Sequence, residues 1–318
     1  MKITGTDIYL HCHRVLCENH EKQYWVRFVK MKNDNLDPRL SDYIQDDPTL
    51  SYVQETDPWI VQRLISSIEI IFGRRKIEAI YNDLRKEPFS VESFFSGALA
   101  ATKIQGCYNH ERLSTLPKTG PLVFVANHPF GVVDGLLLCD MAIKARGNFR
   151  VLVNAMLCRD RNLAPHFLPI DFEDSKAAAK NNIRTKKMAQ QCLQEDIPLL
   201  IFPSGFVSTA DQKGFGKVVD APWTTFAAKL IRDSEATVVP VYFEGQNSRL
   251  FHIASHISEP LRMALLLKEA RNKFGTKVSA HIGSPLPWSD LEAVGNRQEL
   301  TNFLYRQVNG LVETRNVI

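Results

Sequence analysis

From residue 117 onward the chain alternates short apolar segments with longer helical ones, and this alternation constrains the fold more than any other feature. Strands that alternate with helices are typical of α/β proteins, in which helices cover the faces of a largely parallel sheet. We therefore expect a three-layer α/β domain with a mixed central sheet over residues 100–318. Its predicted strands cover residues 122–126, 150–154, 167–170, 198–202, 237–243 and 277–282.

The region before this domain has a helical pattern. Apolar residues recur at helical spacing from Pro58 to Leu84, and a third helical stretch covers residues 90–102. We assign residues 1–99 to a helical N-terminal region, in which residues 1–55 show little pattern. The apolar stripe of its first helix consists of Val61, Leu64, Ile65, Ile68, Ile71 and Phe72, and the basic residues beside it are Arg63, Arg74, Arg75 and Lys76.

This stripe has two interpretations. An apolar stripe flanked by basic residues is able to lie on an anionic membrane surface, with the basic side chains solvated near the lipid head groups. The same stripe is also suited to packing onto the α/β domain. The sequence leaves both open, so membrane docking by residues 1–99 is an expectation.

Composition narrows the class of protein. The 44% hydrophobic and 23% charged content is that of an ordinary globular protein, and the net charge of +4 is too small to require nucleic acid. No run of eighteen apolar residues occurs, and Met1–Leu10 lacks the pattern of a signal peptide. Six scattered cysteines favour a reducing compartment. We expect a cytoplasmic protein that is peripheral on the inner face of the cytoplasmic membrane.

The segment from Val123 to Gly135 carries the most chemical information. An apolar strand runs into Asn127, His128 and Pro129, and a helical run that ends at Gly147 follows. His128 and Asp134 meet only if the chain turns between them, which Gly131 permits. Asp134 would then orient the imidazole, and His128 would act as a general base on a hydroxyl. Alternatively, His128 caps a helix and Asp134 is a surface carboxylate.

Two further segments end apolar strands with small and polar residues, where α/β sheets usually bind ligands. The first contains Phe202-Pro203-Ser204-Gly205, and the second runs from Val238-Val239-Pro240-Val241 to Asn247 and Arg249. Ser204 lacks the Gly-x-Ser-x-Gly turn that exposes a nucleophilic serine. We expect these segments to line the site of His128.

In this order the three segments resemble the lysophospholipid acyltransferase family. In that family a strand ends in Asn-His, four variable residues and Asp, and Phe-Pro-Glu-Gly and a Val-Pro-Val strand follow. The block from His128 to Asp134 is one residue longer, as in the hemolysin-like bacterial branch, whose members include lyso-aminolipid O-acyltransferases. The resemblance implies transfer of a fatty acyl group from acyl-ACP or acyl-CoA to a lyso-lipid hydroxyl in bacterial membrane lipid synthesis.

The resemblance also implies which residues form the site. His128 and Asp134 would be catalytic. Ser204 replaces a glutamate that is associated with the acceptor in members that act on glycerol phosphates, which favours a lyso-aminolipid over lysophosphatidic acid. Arg184 either matches an upstream arginine of the family or lies on a solvated helix face. The implied substrate-binding residues are Asn127, Phe130, Gly131, Arg184, Pro203, Ser204, Gly205, Asn247 and Arg249.

The resemblance implies no metal and no cofactor, only the acyl thioester as co-substrate. The cluster His11, Cys12, His13, Cys17 and His20 matches no zinc module. Expected partners are a lyso-lipid acceptor, acyl carrier protein or a coenzyme A thioester, and the membrane surface, with no nucleic acid. The alternatives are a lysophosphatidic acid acyltransferase, a thioesterase or lipase that uses the same pair to activate water, and a lipid-binding or membrane-lytic protein without enzymatic activity.

Overall fold

The computed structural model describes residues 44–45, 48–51, 53, 58–86, 88–154, 157–171, 175–211 and 213–312. The N-terminal cluster of His11 to His20 lies outside these residues. Three helices come first: α1 (Trp59–Ile71), α2 (Arg74–Leu84) and α3 (Val91–Thr102). The following elements are β1 (Gln105–Cys107), α4 (His110–Ser114), β2 (Leu122–Ala126), α5 (Val132–Arg146), β3 (Arg150–Asn154), a 3-10 turn (Ala164–His166), β4 (Phe167–Ile170), α6 (Lys176–Gln194), β5 (Leu199–Ile201), α7 (Phe226–Asp233), β6 (Thr237–Phe243), α8 (Arg249–Ile257), α9 (Glu259–Asn272), β7 (Lys277–Ile282), α10 (Trp288–Leu291) and α11 (Arg297–Gly310).

The seven strands form one mixed sheet in the order β1-β7-β6-β2-β5-β3-β4. All neighbouring pairs are parallel except β6 and β7, which are antiparallel. Strand β2 lies inside the sheet, where Val125 is in register with Ile201 of β5 and with Pro240 of β6. The carboxyl ends of β2, β5 and β6 therefore meet at one edge of the sheet, as ligand sites in α/β proteins require.

Helices cover both faces of the sheet, which confirms the predicted three-layer α/β class. On one face Phe124 packs in a core with Phe95 of α3 and Leu138 of α5. On the other face Val123 and Val125 pack with residues of α6, α7 and α11. Every residue of β2 is buried, because a strand covered on both faces has no solvent side.

The predicted strands match the structure closely, with one omission. Five of them have the predicted bounds, and the strand predicted at 198–202 is shorter by one residue at each end. The omitted strand is β1, which has three residues, Gly106 in the middle and an edge position in the sheet. Such a segment has too few apolar side chains to give a strand pattern.

The apolar stripe of α1 divides into two faces. Ile65 is buried, and Ile68 and Phe72 pack in a cluster with residues of α8 and α9. The other face is exposed, at 57% for Leu64 and 71% for Ile71, and Ile60 on the same face is 61% exposed. The sequence pattern merged two adjacent rows of residues that the helix points in different directions. None of the helices in the described residues has the length and apolarity needed to cross a bilayer.

The expectation that Arg74, Arg75 and Lys76 are all solvated is wrong for Arg74. Its guanidinium lies 2.8 Å from the buried carboxylate of Glu69 and 3.4 Å from that of Glu78. A buried carboxylate needs a cation beside it, and Arg74 is within reach on the next helix. Of these three side chains, those of Arg75 and Lys76 are exposed and that of Arg74 is partly buried. The predicted boundary between the N-terminal region (residues 1–99) and the α/β domain (residues 100–318) falls within α3. This helix packs against α5.

Candidate active site

The site begins where β2 ends. Asn127 follows β2 and is buried, and its side-chain amide is bonded twice to Phe243 at the end of β6. The amide nitrogen donates to the Phe243 carbonyl at 3.0 Å, and the amide oxygen accepts from the Phe243 N–H at 2.7 Å. Asn127 thus joins the ends of two neighbouring strands and sets the starting point of the loop that carries His128.

The chain turns between His128 and Asp134 as predicted. Gly131 has φ +88° and ψ −74°, a conformation that favours glycine, and it directly precedes α5. The turn brings His128 Nδ1 to 3.2 Å from Asp134 Oδ2. The N–H vector is not aligned for a full hydrogen bond in this structure. Such pairs are often loosely aligned before the substrate binds.

Asp134 is buried and held by the backbone around it. Its Oδ2 accepts hydrogen bonds from the N–H groups of Phe130 at 2.8 Å and Gly131 at 3.2 Å, and its Oδ1 accepts from Gly135 at 2.8 Å. Because Asp134 lies in the first turn of α5, the helix N-terminus also favours its negative charge. The carboxylate has a single orientation, toward the ring of His128.

The imidazole of His128 lies between Asp134 and Phe202. The rings of His128 and Phe202 stack with centroids 4.0 Å apart at an angle of 28°. Phe202 follows β5, so the residue before Pro203 supplies one wall of the site. With Nδ1 directed at Asp134, Nε2 is the nitrogen that would accept a proton from a substrate hydroxyl.

The Pro203-Ser204-Gly205 segment forms a closed turn beside Phe202. Ser204 is buried, and its hydroxyl donates to the carbonyl of Phe206 at 2.8 Å. Gly205 has φ +68°, and the carbonyl of Pro203 accepts from the N–H of Thr224 at 3.0 Å. A hydroxyl held inside its own turn is not an exposed nucleophile. Substrate binding by these three residues stays a prediction.

Two other predicted residues, Asn247 and Phe130, meet at the loop that carries His128. The side-chain amide of Asn247 donates to the carbonyl of Phe130 at 3.3 Å, and both residues are buried. Gly245 lies against the Phe130 ring, where an added Cβ would come within 2.8 Å of it. The strand end at β6 therefore supports the loop that carries His128.

The two predicted arginines lie on the surface. Arg249 is the first residue of α8, and its guanidinium stacks on the exposed ring of Phe215 at 3.1 Å. Arg184 is exposed in the middle of α6, a helix that packs against β4 and β5. Contact of either arginine with a substrate stays a prediction.

Sequence reasoning missed the residues that hold the backbone of His128. Its carbonyl accepts from the N–H of Ser208 at 2.8 Å, and its N–H donates to Asp220 Oδ1 at 3.2 Å. Asp220 lies between β5 and α7, where Val218-Val219 precede it and Ala221-Pro222 follow it, and no motif marks it. Its distance along the chain from His128 leaves no spacing signal.

The chain is similar to known acyltransferases. A family model described as "Acyltransferase" matches residues 88–315. A lyso-glycine lipid O-acyltransferase of Phocaeicola vulgatus is 30% identical over 60% of this chain and 68% of its own length. The protein of the same name from Bacteroides thetaiotaomicron is 30% identical over 57% of this chain and 66% of its own length.

Among solved structures, the 1-acyl-sn-glycerophosphate (LPA) acyltransferase PlsC of Thermotoga maritima aligns with 80% of this chain and 89% of its own. The TM-score is 0.46 and the sequence identity is 15%. The family match contains all seven strands and the loop of His128 and Asp134. The chain therefore belongs to the acyltransferase family, the lysophospholipid acyltransferase family that its three ordered segments resemble.

Proposed function

We propose that this acyltransferase moves a fatty acyl group from an acyl thioester to the hydroxyl of a lyso-aminolipid, with His128 as the general base. The observation that carries the proposal is the approach of His128 Nδ1 to the buried, backbone-held carboxylate of Asp134 at the end of β2. This arrangement leaves Nε2 for the hydroxyl of the acceptor. Among the described residues, the stacked ring of Phe202 restricts the imidazole on one side.

The reaction needs two proton transfers. The acceptor hydroxyl gives its proton to Nε2 of His128 as its oxygen forms a bond to the thioester carbonyl carbon. The tetrahedral intermediate then breaks the carbon–sulfur bond, and the imidazolium returns the proton to the departing thiolate. Asp134 stabilises the imidazolium and keeps its tautomer and orientation.

The carbonyl oxygen becomes negatively charged in the tetrahedral intermediate, and hydrogen bonds from backbone N–H groups would stabilise this charge. The N–H groups of Phe130 and Gly131 are already bonded to Asp134. The N-terminus of α5 provides further N–H groups at Val132 and Val133, and its dipole favours an anion. We assign oxyanion stabilisation to this helix end.

Two observations support a lyso-aminolipid as the acceptor. The relatives that match over about two thirds of their length are named lyso-glycine lipid O-acyltransferases. In addition, the family's glutamate is replaced by Ser204, whose hydroxyl is bonded within its own turn. We expect a lyso-glycine lipid to have a higher kcat/KM than lysophosphatidic acid in a competition assay. A tenfold preference for lysophosphatidic acid would contradict this assignment.

The donor is acyl-ACP or acyl-CoA, and parallel assays with the two thioesters compare their kcat/KM values. The proposed location is the inner face of the cytoplasmic membrane, because substrate and product both partition into bilayers. The exposed face of α1, formed by Ile60, Leu64 and Ile71, supports a peripheral attachment.

Release of free thiol from the thioester tests the reaction type. For an acyltransferase, release requires the lyso-lipid and an equal amount of acylated lipid forms. A thioesterase releases thiol without any acceptor, and a lipid-binding protein releases none. We expect His128→Ala to lower kcat by about 10²–10⁴ while the protein stays folded. A folded His128→Ala variant with most of the wild-type activity would rule out the proposed mechanism.

A further inference from the structure

The backbone of His128 is held on both sides by the segment between β5 and α7. Ser208 donates its N–H to the His128 carbonyl at 2.8 Å, and Asp220 accepts the His128 N–H at 3.2 Å. Asp220 Oδ1 also accepts the hydroxyl of Ser208. One carboxylate oxygen therefore links the two residues that hold the peptide groups of His128.

Asp220 is itself anchored in the protein core. Its other oxygen, Oδ2, accepts the indole N–H of Trp223 at 2.9 Å. Trp223 is buried in the core on one face of the sheet, and its ring meets the ring of Tyr305 edge-on at 5.3 Å. A carboxylate that accepts hydrogen bonds from three donors, one of them on the buried Trp223, has little freedom to move. The hydrogen bond from the His128 N–H to Asp220 therefore restricts the position of the His128 backbone.

The ring of His128 has to fit between Phe202 and Asp134, and its position depends on the backbone that carries it. Asp134 orients the ring, whereas the described contacts of Asp220 are with the peptide N–H of His128 and with the side chains of Ser208 and Trp223. We infer that Asp220 is a positioning residue that holds the His128 backbone for the acyl transfer. This inference rests on the proposed function, in which His128 is the general base.

The inference predicts a specific effect of Asp220→Ala on the kinetics. Loss of the acceptor would let the backbone of His128 shift, and a misplacement of about 1 Å typically costs about 10²-fold in rate. We expect kcat to fall by about 10- to 100-fold while the KM values for both substrates stay within about twofold. An Asp220→Ala protein that is folded and has wild-type kcat would overturn the inference.

Two conservative variants separate position from charge. Both are made in a Trp223→Phe background, because the amide nitrogen of Asn would otherwise oppose the indole N–H that Oδ2 accepts. In this background Asp220→Asn keeps an oxygen at the Oδ1 position but loses the charge, whereas Asp220→Glu keeps the charge but moves the oxygen by one methylene. A positioning role predicts that the Asn variant has a higher kcat than the Glu variant. The reverse order would show that the charge matters and would overturn the inference. This comparison also decides the question if Asp220→Ala does not fold.

His256→Ala is the matched control for general loosening of the segment. His256 Nε2 lies 2.8 Å from the carbonyl of Ala210 in the same segment, and within the described part of the chain His256 has no hydrogen bond to His128 or Asp220. We expect this variant to keep its kcat, and a fall as large as that of Asp220→Ala would overturn the inference. His128→Ala is assayed alongside: if it stays active, the proposed function fails, whereas an inactive His128→Ala with a fully active Asp220→Ala refutes only the role of Asp220.

Discussion

Replacing Gly131 by Ala tests whether the turn before α5 builds the catalytic pair. Gly131 has φ +88° and ψ −74°, where an alanine costs about 1–3 kcal/mol. An added Cβ would lie 2.9 Å from Val207 and 3.0 Å from Leu266. Overpacking of this kind costs another ~1–3 kcal/mol. We expect the free energy of unfolding to fall by about 3 kcal/mol, or about 4–5 °C in Tm for a chain of 318 residues.

The same change should lower activity, because the turn sets the separation of His128 and Asp134. A displacement of about 1 Å between them predicts a loss of about 10² in kcat. Gly135→Ala is the matched control, since Gly135 lies within α5 and an added Cβ would meet nothing within 4 Å. The free energy of unfolding of this control should rise by up to about 1 kcal/mol, because alanine has a higher helix propensity than glycine. Urea unfolding and steady-state thiol release measure both effects. Wild-type stability and kcat in Gly131→Ala would refute the reasoning.

Three further predictions follow from individual side chains. Asp134→Asn should lower kcat by about 10²–10⁴ and the free energy of unfolding by about 2 kcal/mol, because one amide cannot accept from all the donors around the carboxylate; wild-type values of kcat and urea midpoint would contradict this. Burial, with a smaller effect of a nearby arginine, lowers the pKa of His166 to about 3. The unfolded chain therefore binds one more proton between about pH 6.5 and 3, and stability falls as the pH falls through this window, by up to about 1.4 kcal/mol per pH unit. His166→Gln should flatten this slope in urea titrations at pH 6.5 and 4.5, and an unchanged slope would exclude this role. Finally, replacing the exposed Leu64 and Ile71 together by Ser should weaken binding to anionic vesicles at least tenfold with little change in Tm, whereas Ser at the exposed Ile183 of α6 should not; equal binding of all three proteins would exclude α1 as the docking helix.

The approach of His128 to Asp134 and the main strands were predictable because their signals are local. His128 and Asp134 are six residues apart, and the strand before them and the helix after them each have a clear apolar pattern. The turn required by that spacing is present at Gly131, and the helix ends at Gly147 with φ +73°. The local sequence from the end of β2 to α5 is therefore enough to predict that His128 and Asp134 lie close together.

The remaining features depend on contacts between distant parts of the chain. Asp220 meets His128 across 92 positions, and nothing in the sequence around Asp220 indicates that contact. The pairing of Arg74 with Glu69 depends on which face of α1 becomes buried. The same is true of Leu64, which the sequence pattern could not separate from its buried neighbour Ile65. The packing of α1 on α9 decides which side chains of α1 are buried, and the periodicity of α1 alone does not predict that packing.

The placement of β2 between β5 and β6 has a consequence for biosynthesis. Residue Leu122 pairs with Thr237, which is made about 115 residues later. At ribosomal rates of about 5–20 residues per second, this strand waits roughly 6–23 s for its second neighbour. During that time a wholly apolar segment has an open backbone edge, which is a template for pairing with other chains. Nascent chains that stop before β6 should therefore aggregate or depend on chaperones. The loop of His128, which Asn127 ties to the end of β6, should be among the last parts of the enzyme to form.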